Sequence, residues 1–130
     1  MKHEVVAAVI ERDGKYLCMQ RCRSHYPYIS EHWEFPGGKR MEGECDHETL
    51  IREIKEEMDW DVFVGKKIGT TDHEYEDFEV SLTAYLCKGG DGDFKLLEHL
   101  DYKWLPKHEL LNLNWTDADR KLIETFELMG

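Results

Sequence analysis

The fold is decided by the stretch Gly37-Gly38-Lys39-Arg40-Met41-Glu42-Gly43-Glu44, followed by Arg52-Glu53-Ile54-Lys55-Glu56-Glu57 within a predicted helix over Asp46–Met58. Apolar residues recur at helical spacing in this segment and form one side of the helix: Leu50, Ile51, Ile54, Met58. Helical residues advance by about 100° each, so three carboxylates share the adjoining face: Glu53, Glu56, Glu57. The pattern predicts a helix anchored by its apolar side, with an acidic edge free to point into a cleft.

Three carboxylates this close together repel one another and raise the pKa of at least one of them. A hard divalent cation removes the conflict, since Mg²⁺ prefers oxygen ligands in an octahedral shell. The bound ion would also supply positive charge for holding phosphates. Arg52, beside Glu53, could orient a glutamate or contact a phosphate. The alternative is an ordinary solvated acidic face, in which Glu48 and Arg52 form a helical ion pair.

The glycine pair Gly37-Gly38 precedes this helix and is interpreted as the end of a short strand over Trp33–Pro36. Glycine lets a backbone carbonyl approach an ion or ligand closely. A loop that enters a helix also offers free N–H groups to an anion. The pair therefore favours a ligand site next to the acidic helix edge.

Composition narrows the class of protein. The chain has 130 residues, and 17 Lys and Arg against 28 Asp and Glu give a net charge of −11. That length suits one domain, residues 1–130, with its own core. The acidic balance argues against direct binding of nucleic acids or anionic membranes, because attraction to phosphates needs clustered Lys and Arg. A small phosphorylated ligand stays possible if a divalent cation lies between.

The sequence also predicts the compartment. The apolar run near the N-terminus is ended by Glu11 and is too short for a signal peptide. No run approaches the roughly 20 apolar residues that a membrane span needs. The cysteines are spaced too irregularly for a zinc site: Cys18, Cys22, Cys45, Cys87. We therefore expect reduced thiols in a cytoplasmic protein.

The other elements predict an α+β domain, with a mixed β-sheet sandwiched between helices in an α/β/α arrangement. The expected segments are a hairpin over Val5–Glu11 and Tyr16–Gln20, a loop over Arg21–Glu31, strands over Val62–Thr70 and Phe78–Cys87 joined by the acidic segment Asp72–Asp77, a strand over Asp101–Leu105, a helical turn over Lys107–Leu111, and a closing helix over Thr116–Leu128.

The spacing of the central residues resembles the Nudix box, G-x5-E-x7-R-E-U-x-E-E-x-G-U, in which U is apolar. Gly38, Glu44 and Arg52-Glu53 stand at the required positions, and Asp59 replaces the usual glycine after the helix. Asp tolerates the left-handed conformation better than most residues, so the substitution should cost about 1 kcal/mol or less. Further similarity over nearly the whole chain identifies the MutT-like branch of the Nudix hydrolases, which includes 8-oxo-dGTP diphosphatases and CTP pyrophosphohydrolases.

This resemblance implies a Mg²⁺ site, with Mn²⁺ as a possible substitute. The matching metal ligands are the Gly37 carbonyl and four carboxylates: Glu53, Glu56, Glu57, Glu98. Glu53 is the expected general base, and Glu44 and Arg52 match residues that orient the others. Mg²⁺ would polarise phosphate oxygens and acidify a bound water.

The resemblance also implies a nucleotide pocket. Arg23 and Lys39 are the candidates for phosphate contacts, with Arg21 as a further one. Phe35 and Phe78 could stack on the base, although both could instead be core residues. A polar residue at the start of the closing helix would meet the base edge, with Asp119 as the first match and Asp117 as the second. The histidines, His99 among them, are interpreted as surface or local hydrogen-bonding residues.

The expected activity is Mg²⁺-dependent hydrolysis of a nucleoside triphosphate to the monophosphate and pyrophosphate. Its role would be nucleotide-pool sanitation, linked to DNA repair, on 8-oxo-dGTP or a CTP-like substrate. One alternative is a Nudix enzyme acting on ADP-ribose or a dinucleoside polyphosphate. Another is a nucleotide-binding Nudix module without catalysis. The expected partner is the small-molecule nucleotide, with the protein a monomer or homodimer.

Overall fold

The computed structural model describes residues 2–128, so the predicted domain limits at residues 1 and 130 lie outside the described range. Within it the strands are β1 Lys2–Arg12, β2 Lys15–Gln20, β3 Trp33–Glu34, β4 Gly37–Lys39, β5 Val62–Glu74, β6 Glu79–Gly89 and β7 Asp101–Pro106. The helices are α1 Asp46–Met58, α2 Asp117–Thr125 and a short 3₁₀ helix, Lys107–Asn112.

Strand β1 lies in the middle of the sheet and is buried on both faces. Successive side chains of a strand point to opposite faces, and here the two sets enter two different cores. Val6 and Ala8 pack with α1, whereas Ala7 and Val9 pack with α2. β1 pairs in parallel with β6 and antiparallel with β2 and β4, so the sheet is mixed. The predicted α+β arrangement, a mixed sheet between helices, is confirmed.

The second edge of β1 is shared between two partners. Near its end, Glu11 and Arg12 pair with β2. Earlier in the strand, Val5 to Ala7 pair with the short strand β4. β2 continues away from β1 and pairs with β3 and β7 instead. The sheet therefore opens between β1 and β2, and β4 lines that opening.

Helix α1 has the predicted bounds, and Leu50, Ile54 and Met58 are completely buried against the sheet. The fourth member of the predicted apolar side, Ile51, is 51% exposed, since it lies at the margin of the face. The helix is capped by Cys45, the residue before its first helical residue Asp46, and the Glu48 carboxylate accepts the Cys45 N–H at 2.9 Å.

The other end of α1 contains the unusual Asp59. This residue has φ of +48° and ψ of +48°, the left-handed conformation expected at the box glycine position. Its N–H donates to the carbonyl of Lys55 at 3.0 Å, which caps the last turn. The carboxylate lies 3.1 Å from the ammonium of Lys95. Aspartate therefore ends the helix with the geometry that glycine usually supplies.

Three predicted boundaries were wrong. The segment Gly37–Lys39 is strand β4, because its backbone completes the edge of β1. β5 runs to Glu74, so the first half of the predicted acidic connection is strand, and the turn is confined to Tyr75–Phe78. The closing helix ends at Thr125 rather than Leu128, since the chain becomes extended at Phe126.

The chain beyond α2 is held by a buried contact. The Tyr16 hydroxyl on β2 donates to the carbonyl of Leu128, and burial raises the pKa of this phenol. The four cysteines carry free thiols, and burial raises the pKa of Cys18 and Cys87 to about 12. Across residues 2–128, the helices are all too short or too polar to span a bilayer.

Candidate active site

A cleft of about 420 Å³ occupies the opening between β1 and β2. One wall comes from β1 and β4, and the other from the loop after β2 and the start of α2. Glu57 lies at one end, and Asp119 lies among the lining residues contributed by α2. The split edge of β1 therefore places the acidic helix and the start of α2 around one cavity, which is large enough for a small molecule.

Arg52 forms hydrogen bonds with the carboxylates of Glu44 and Glu53. Its Nε donates to Glu44 at 2.7 Å and its Nη2 to the other oxygen of Glu44 at 3.0 Å, a two-pronged contact. Its Nη1 donates to Glu53 at 2.9 Å, and Nη2 also reaches the Lys39 carbonyl at 3.2 Å. The guanidinium lowers the pKa of Glu44 to about 2. Glu44 and Arg52 thus fix the position of Glu53.

Glu57 is the most unusual carboxyl group of the helix. Only 8% of the residue is exposed, and its Oε1 is buried without a hydrogen-bond partner. Burial raises its pKa strongly, and repulsion from Glu34, Glu53 and Glu98 raises it further. Since a carboxylate this poorly solvated is costly, the arrangement favours a positive ligand at this point.

The glycines of β4 leave room for these groups. A Cβ atom on Gly38 would lie 2.6 Å from both carboxylate oxygens of Glu53, closer than a side chain can approach. Gly37 has φ of +152°, and a Cβ there would collide with the Val6 carbonyl of the neighbouring strand. Glycine at both positions therefore lets β4 lie against β1 and α1 at once.

The predicted metal ligands are only partly gathered. Gly37 and Glu57 line the cleft, and the Glu53 carboxylate lies against Gly38 beside it, whereas Glu56 is largely exposed and contacts Arg52 at 3.3 Å. Glu98 is exposed outside the cleft lining, although its charge acts on Glu57. Among residues 2–128, no three acidic, histidine or cysteine side chains already surround one point. The unpaired Oε1 of Glu57, close to Glu53, is the feature that fits a hard cation.

The structure reveals a buried polar group that the sequence analysis missed. Glu34 on β3 accepts from Arg21 Nη1 at 2.9 Å, and its other oxygen lies 2.9 Å from His99 Nε2. The His99 side chain is 6% exposed, so its interpretation as a surface or local residue was wrong. Arg21 keeps the pKa of Glu34 low together with His99, despite burial. The sequence did contain one signal for Glu34. Side chains alternate between the two faces of a strand, so Glu34 is expected on the face opposite Trp33 and Phe35.

Asp119 lies in the cleft with both oxygens used. Oδ2 accepts the Phe35 N–H at 2.9 Å, and Oδ1 accepts the Thr116 hydroxyl at 2.7 Å. Burial, followed by repulsion from Glu34, raises its pKa to about 7. Asp117, the second match, is exposed and faces His73 at 3.4 Å outside the cleft lining. The first match is therefore the one in the cleft.

Of the other residues predicted to contact the nucleotide, three line the cleft and one does not. Phe35, Phe78 and Lys39 all line the cleft, with Phe35 packed on Trp115 at a ring separation of 4.8 Å. Arg23 does not line it, since its side chain is 88% exposed and points towards Glu31. The place expected for Arg23 is taken by Arg21, because the chain turns outward immediately after β2.

Aromatic rings close one side of the cleft. Tyr75 and Phe78 follow β5, and Tyr26 comes from the loop after β2. Phe78 lies 5.3 Å from Tyr75 and 5.6 Å from Tyr26 between ring centres. Tyr75 also accepts the N–H of Ala118 at 3.0 Å, which joins this wall to the start of α2. The wall is thus an aromatic surface of rings inclined to one another, which a planar group could contact.

A family model for the NUDIX domain matches residues 5–125. Over 126 residues the chain is 35% identical to the CTP pyrophosphohydrolase of Escherichia coli (strain K12), and the match covers 95% of this chain and 90% of that protein. It is 30% identical over 87 residues to the 8-oxo-dGTP diphosphatase of Proteus vulgaris, covering 65% of this chain and 75% of that protein.

A solved relative shows the same fold. It is the DNA mismatch repair protein MutT, a Nudix hydrolase, from methicillin-resistant Staphylococcus aureus 252. The TM-score is 0.73 at 42% identity, and the match covers 95% of this chain and 94% of that one. With Gly38 and Glu57 of the box lining the cleft and the family model matching nearly the whole chain, the protein belongs to the Nudix family and is a MutT-like Nudix hydrolase.

Proposed function

We propose that the protein is a metal-dependent nucleoside triphosphate pyrophosphohydrolase that releases the monophosphate and pyrophosphate. The observation that carries the proposal is the buried Glu57 carboxyl, whose Oε1 has no hydrogen-bond partner, next to Glu53 and in a cleft that aromatic residues also line. An acidic end suits a cation with a polyphosphate, and an aromatic wall suits a base. One site thus has a place for each part of a nucleotide.

The chain's own residues would hold Mg²⁺, or Mn²⁺ in its place, through Glu53, Glu57 and the Gly37 carbonyl. Glu56 and Glu98, whose side chains are exposed to solvent, would be further ligands of the ion. When bound, the ion would polarise phosphate oxygens and lower the pKa of a coordinated water.

Protein groups would position the reaction around that ion. Arg52 keeps Glu53 against β4 through the bond of 2.9 Å, so Glu53 can accept a proton from an attacking water with little reorganisation. Lys39, exposed at the edge of the cleft, would contact the phosphates. Phosphoryl transfer depends mainly on such positioning and on neutralised charge.

We infer that the substrate is a CTP-like nucleotide or 8-oxo-dGTP, which would give the enzyme a role in nucleotide-pool sanitation. The named activities of the two relatives support these candidates. Asp119 would meet the base edge, and Phe35 and Phe78 would contact its face. The proposal assigns all of residues 1–130 to one domain of a cytoplasmic enzyme that is a monomer or homodimer.

The test is turnover by Glu53→Gln and Glu57→Gln with Mg²⁺ on 8-oxo-dGTP, dGTP, CTP, dCTP, 5-methyl-dCTP and ADP-ribose. Both variants should lose at least about a hundredfold in kcat, since each removes a charge needed at the reacting phosphate. Glu124→Gln, on the exposed side of α2, is the matched control and should keep full turnover. Undiminished turnover in both cleft variants would refute the mechanism.

The products separate the alternatives. Pyrophosphate with a monophosphate supports the proposal. Two phosphorylated products without pyrophosphate, either two monophosphates from ADP-ribose or two nucleotides that share the phosphates of a dinucleoside polyphosphate, indicate a different Nudix activity. Calorimetric binding of nucleotides without turnover, in both Mg²⁺ and Mn²⁺, would identify a binding module instead. The intact set Glu44, Glu53, Glu56 and Glu57 favours catalysis.

A further inference from the structure

Three buried side-chain atoms without hydrogen-bond partners belong to one connected group beside the cleft, which Arg21 and Glu57 line. They are Arg21 Nε, Glu57 Oε1 and His99 Nδ1. Arg21 and His99 are both bonded to Glu34, and His99 Nδ1 lies 4.0 Å from Glu57 Oε1. Buried polar atoms rarely stay unpaired in a group unless the site has a further role. Through Glu34 and His99, the group connects Arg21 with Glu57.

The backbone around His99 is held on both sides. Leu97 donates its N–H to the carbonyl of Glu57 at 3.2 Å, and Leu100 donates to the carbonyl of Gln20 at 2.8 Å. The segment between them is therefore tied to the last turn of α1 and to the end of β2. His99 is presented into the gap between these two elements, with its side chain 6% exposed.

The bond to Glu34 fixes the orientation of the ring. Glu34 is a carboxylate whose pKa is kept low by its partners, so it accepts, and His99 Nε2 donates across 2.9 Å. With Nε2 bonded to Glu34, the other ring nitrogen, Nδ1, faces Glu57. At 4.0 Å this is too long for a hydrogen bond, but the ring occupies the space into which Glu57 Oε1 would otherwise move.

We propose that His99 is a positioning residue that, anchored by Glu34, sets the place of the Glu57 carboxyl for metal binding. The inference rests on the proposed function. It differs from a purely structural role, in which replacing His99 would lower the stability of the fold and leave the Mn²⁺ affinity of the folded protein unchanged. Supporting groups of this kind typically change metal affinity about 10- to 100-fold when removed.

The test compares two amide variants by Mn²⁺ binding to the nucleotide-free protein, followed by electron paramagnetic resonance. In His99→Gln the side-chain nitrogen reaches the position of Nε2 and still donates to Glu34. In His99→Asn the shorter side chain cannot reach Glu34. We expect His99→Gln to stay within about threefold of wild-type affinity and His99→Asn to lose about tenfold.

A second measurement uses the wild-type protein and so does not depend on a variant that folds. In two-bond ¹H–¹⁵N spectra, assigned by the signals missing in His99→Gln, the His99 ring should carry its proton on Nε2. Addition of Mg²⁺ should shift the Nδ1 resonance, because that atom faces Glu57. An unchanged Nδ1 resonance, or equal Mn²⁺ affinity in the Asn and Gln variants, overturns the inference.

The proposed function fails in a distinguishable way. If wild type binds no Mn²⁺, or if Glu57→Gln binds it as well as wild type, the metal site itself is wrong and the inference falls with it. If Glu57→Gln abolishes binding while His99→Asn matches wild type, the metal site stands and only the role of His99 is overturned.

Discussion

Replacing Asp119 with asparagine should stabilise the fold, and the gain should grow with pH. The pKa of Asp119 is raised from 3.8 to about 7 by burial and by Glu34, a shift that corresponds to about 4 kcal/mol when the group is fully ionised. Because the folded state holds its proton more tightly than the unfolded state, wild-type stability falls as the pH rises from about 4 to about 7. Asparagine has no charge to bury.

The local contacts survive this change. The amide oxygen of asparagine can accept the Phe35 N–H, and its NH₂ group can donate to the Thr116 hydroxyl, the two partners of the wild-type carboxyl. We therefore expect the advantage of Asp119→Asn in unfolding free energy to increase by about 2.5 kcal/mol between about pH 5 and about pH 8.

Urea unfolding at a series of pH values measures this difference, with the slope m checked for constancy. Asp117→Asn, two residues earlier on the exposed side, is the control and should change stability by no more than about 0.5 kcal/mol at any pH. Parallel stability curves for wild type and Asp119→Asn across this range would refute the assignment of a buried, proton-holding carboxyl.

Three further predictions concern the box. Gly38→Ala should reduce kcat at least about tenfold, because its Cβ would displace the Glu53 carboxylate, while the melting temperature shows that the variant is folded. Arg52→Lys should also lose about tenfold in kcat, since an ammonium cannot reproduce the two-pronged contact with Glu44; equal rates would contradict this. Asp59→Gly should raise the unfolding free energy by about 0.5 kcal/mol with kcat unchanged, as glycine adopts a φ of +48° without strain.

The periodic part of the sequence predicted the fold well. Leu50, Ile54 and Met58 repeat at helical spacing, so α1 was placed with its observed bounds. The unbroken apolar run of β1 is typical of a strand covered on both faces. Strand β4 was missed because it has three residues, two of them glycine, and owes its existence to the edge of β1. Leu128 was placed in a helix because its apolar character fits either an extended or a helical segment.

The candidate site was predictable only where its residues are close in sequence. Glu53 and Glu57 stand one helical turn apart, so their shared face follows from the sequence. Glu34 and His99 are 65 positions apart and meet through the tertiary fold, so neither carried a signal of its partner. Arg23 was predicted ahead of Arg21 to contact the phosphates. β2 ends at Gln20, so strand alternation could not indicate which of the two side chains faces the cleft.

The divided edge of β1 means that the cavity is prepared before any nucleotide arrives. No hydrogen bonds between β1 and β2 have to be broken at the opening, because β1 pairs with β4 there. Entry of a ligand leaves the central strands in register, and the entropic cost of recognition falls on the connecting segment that contributes Tyr26. Changes in that segment can alter which molecules are admitted while the scaffold beneath them stays the same.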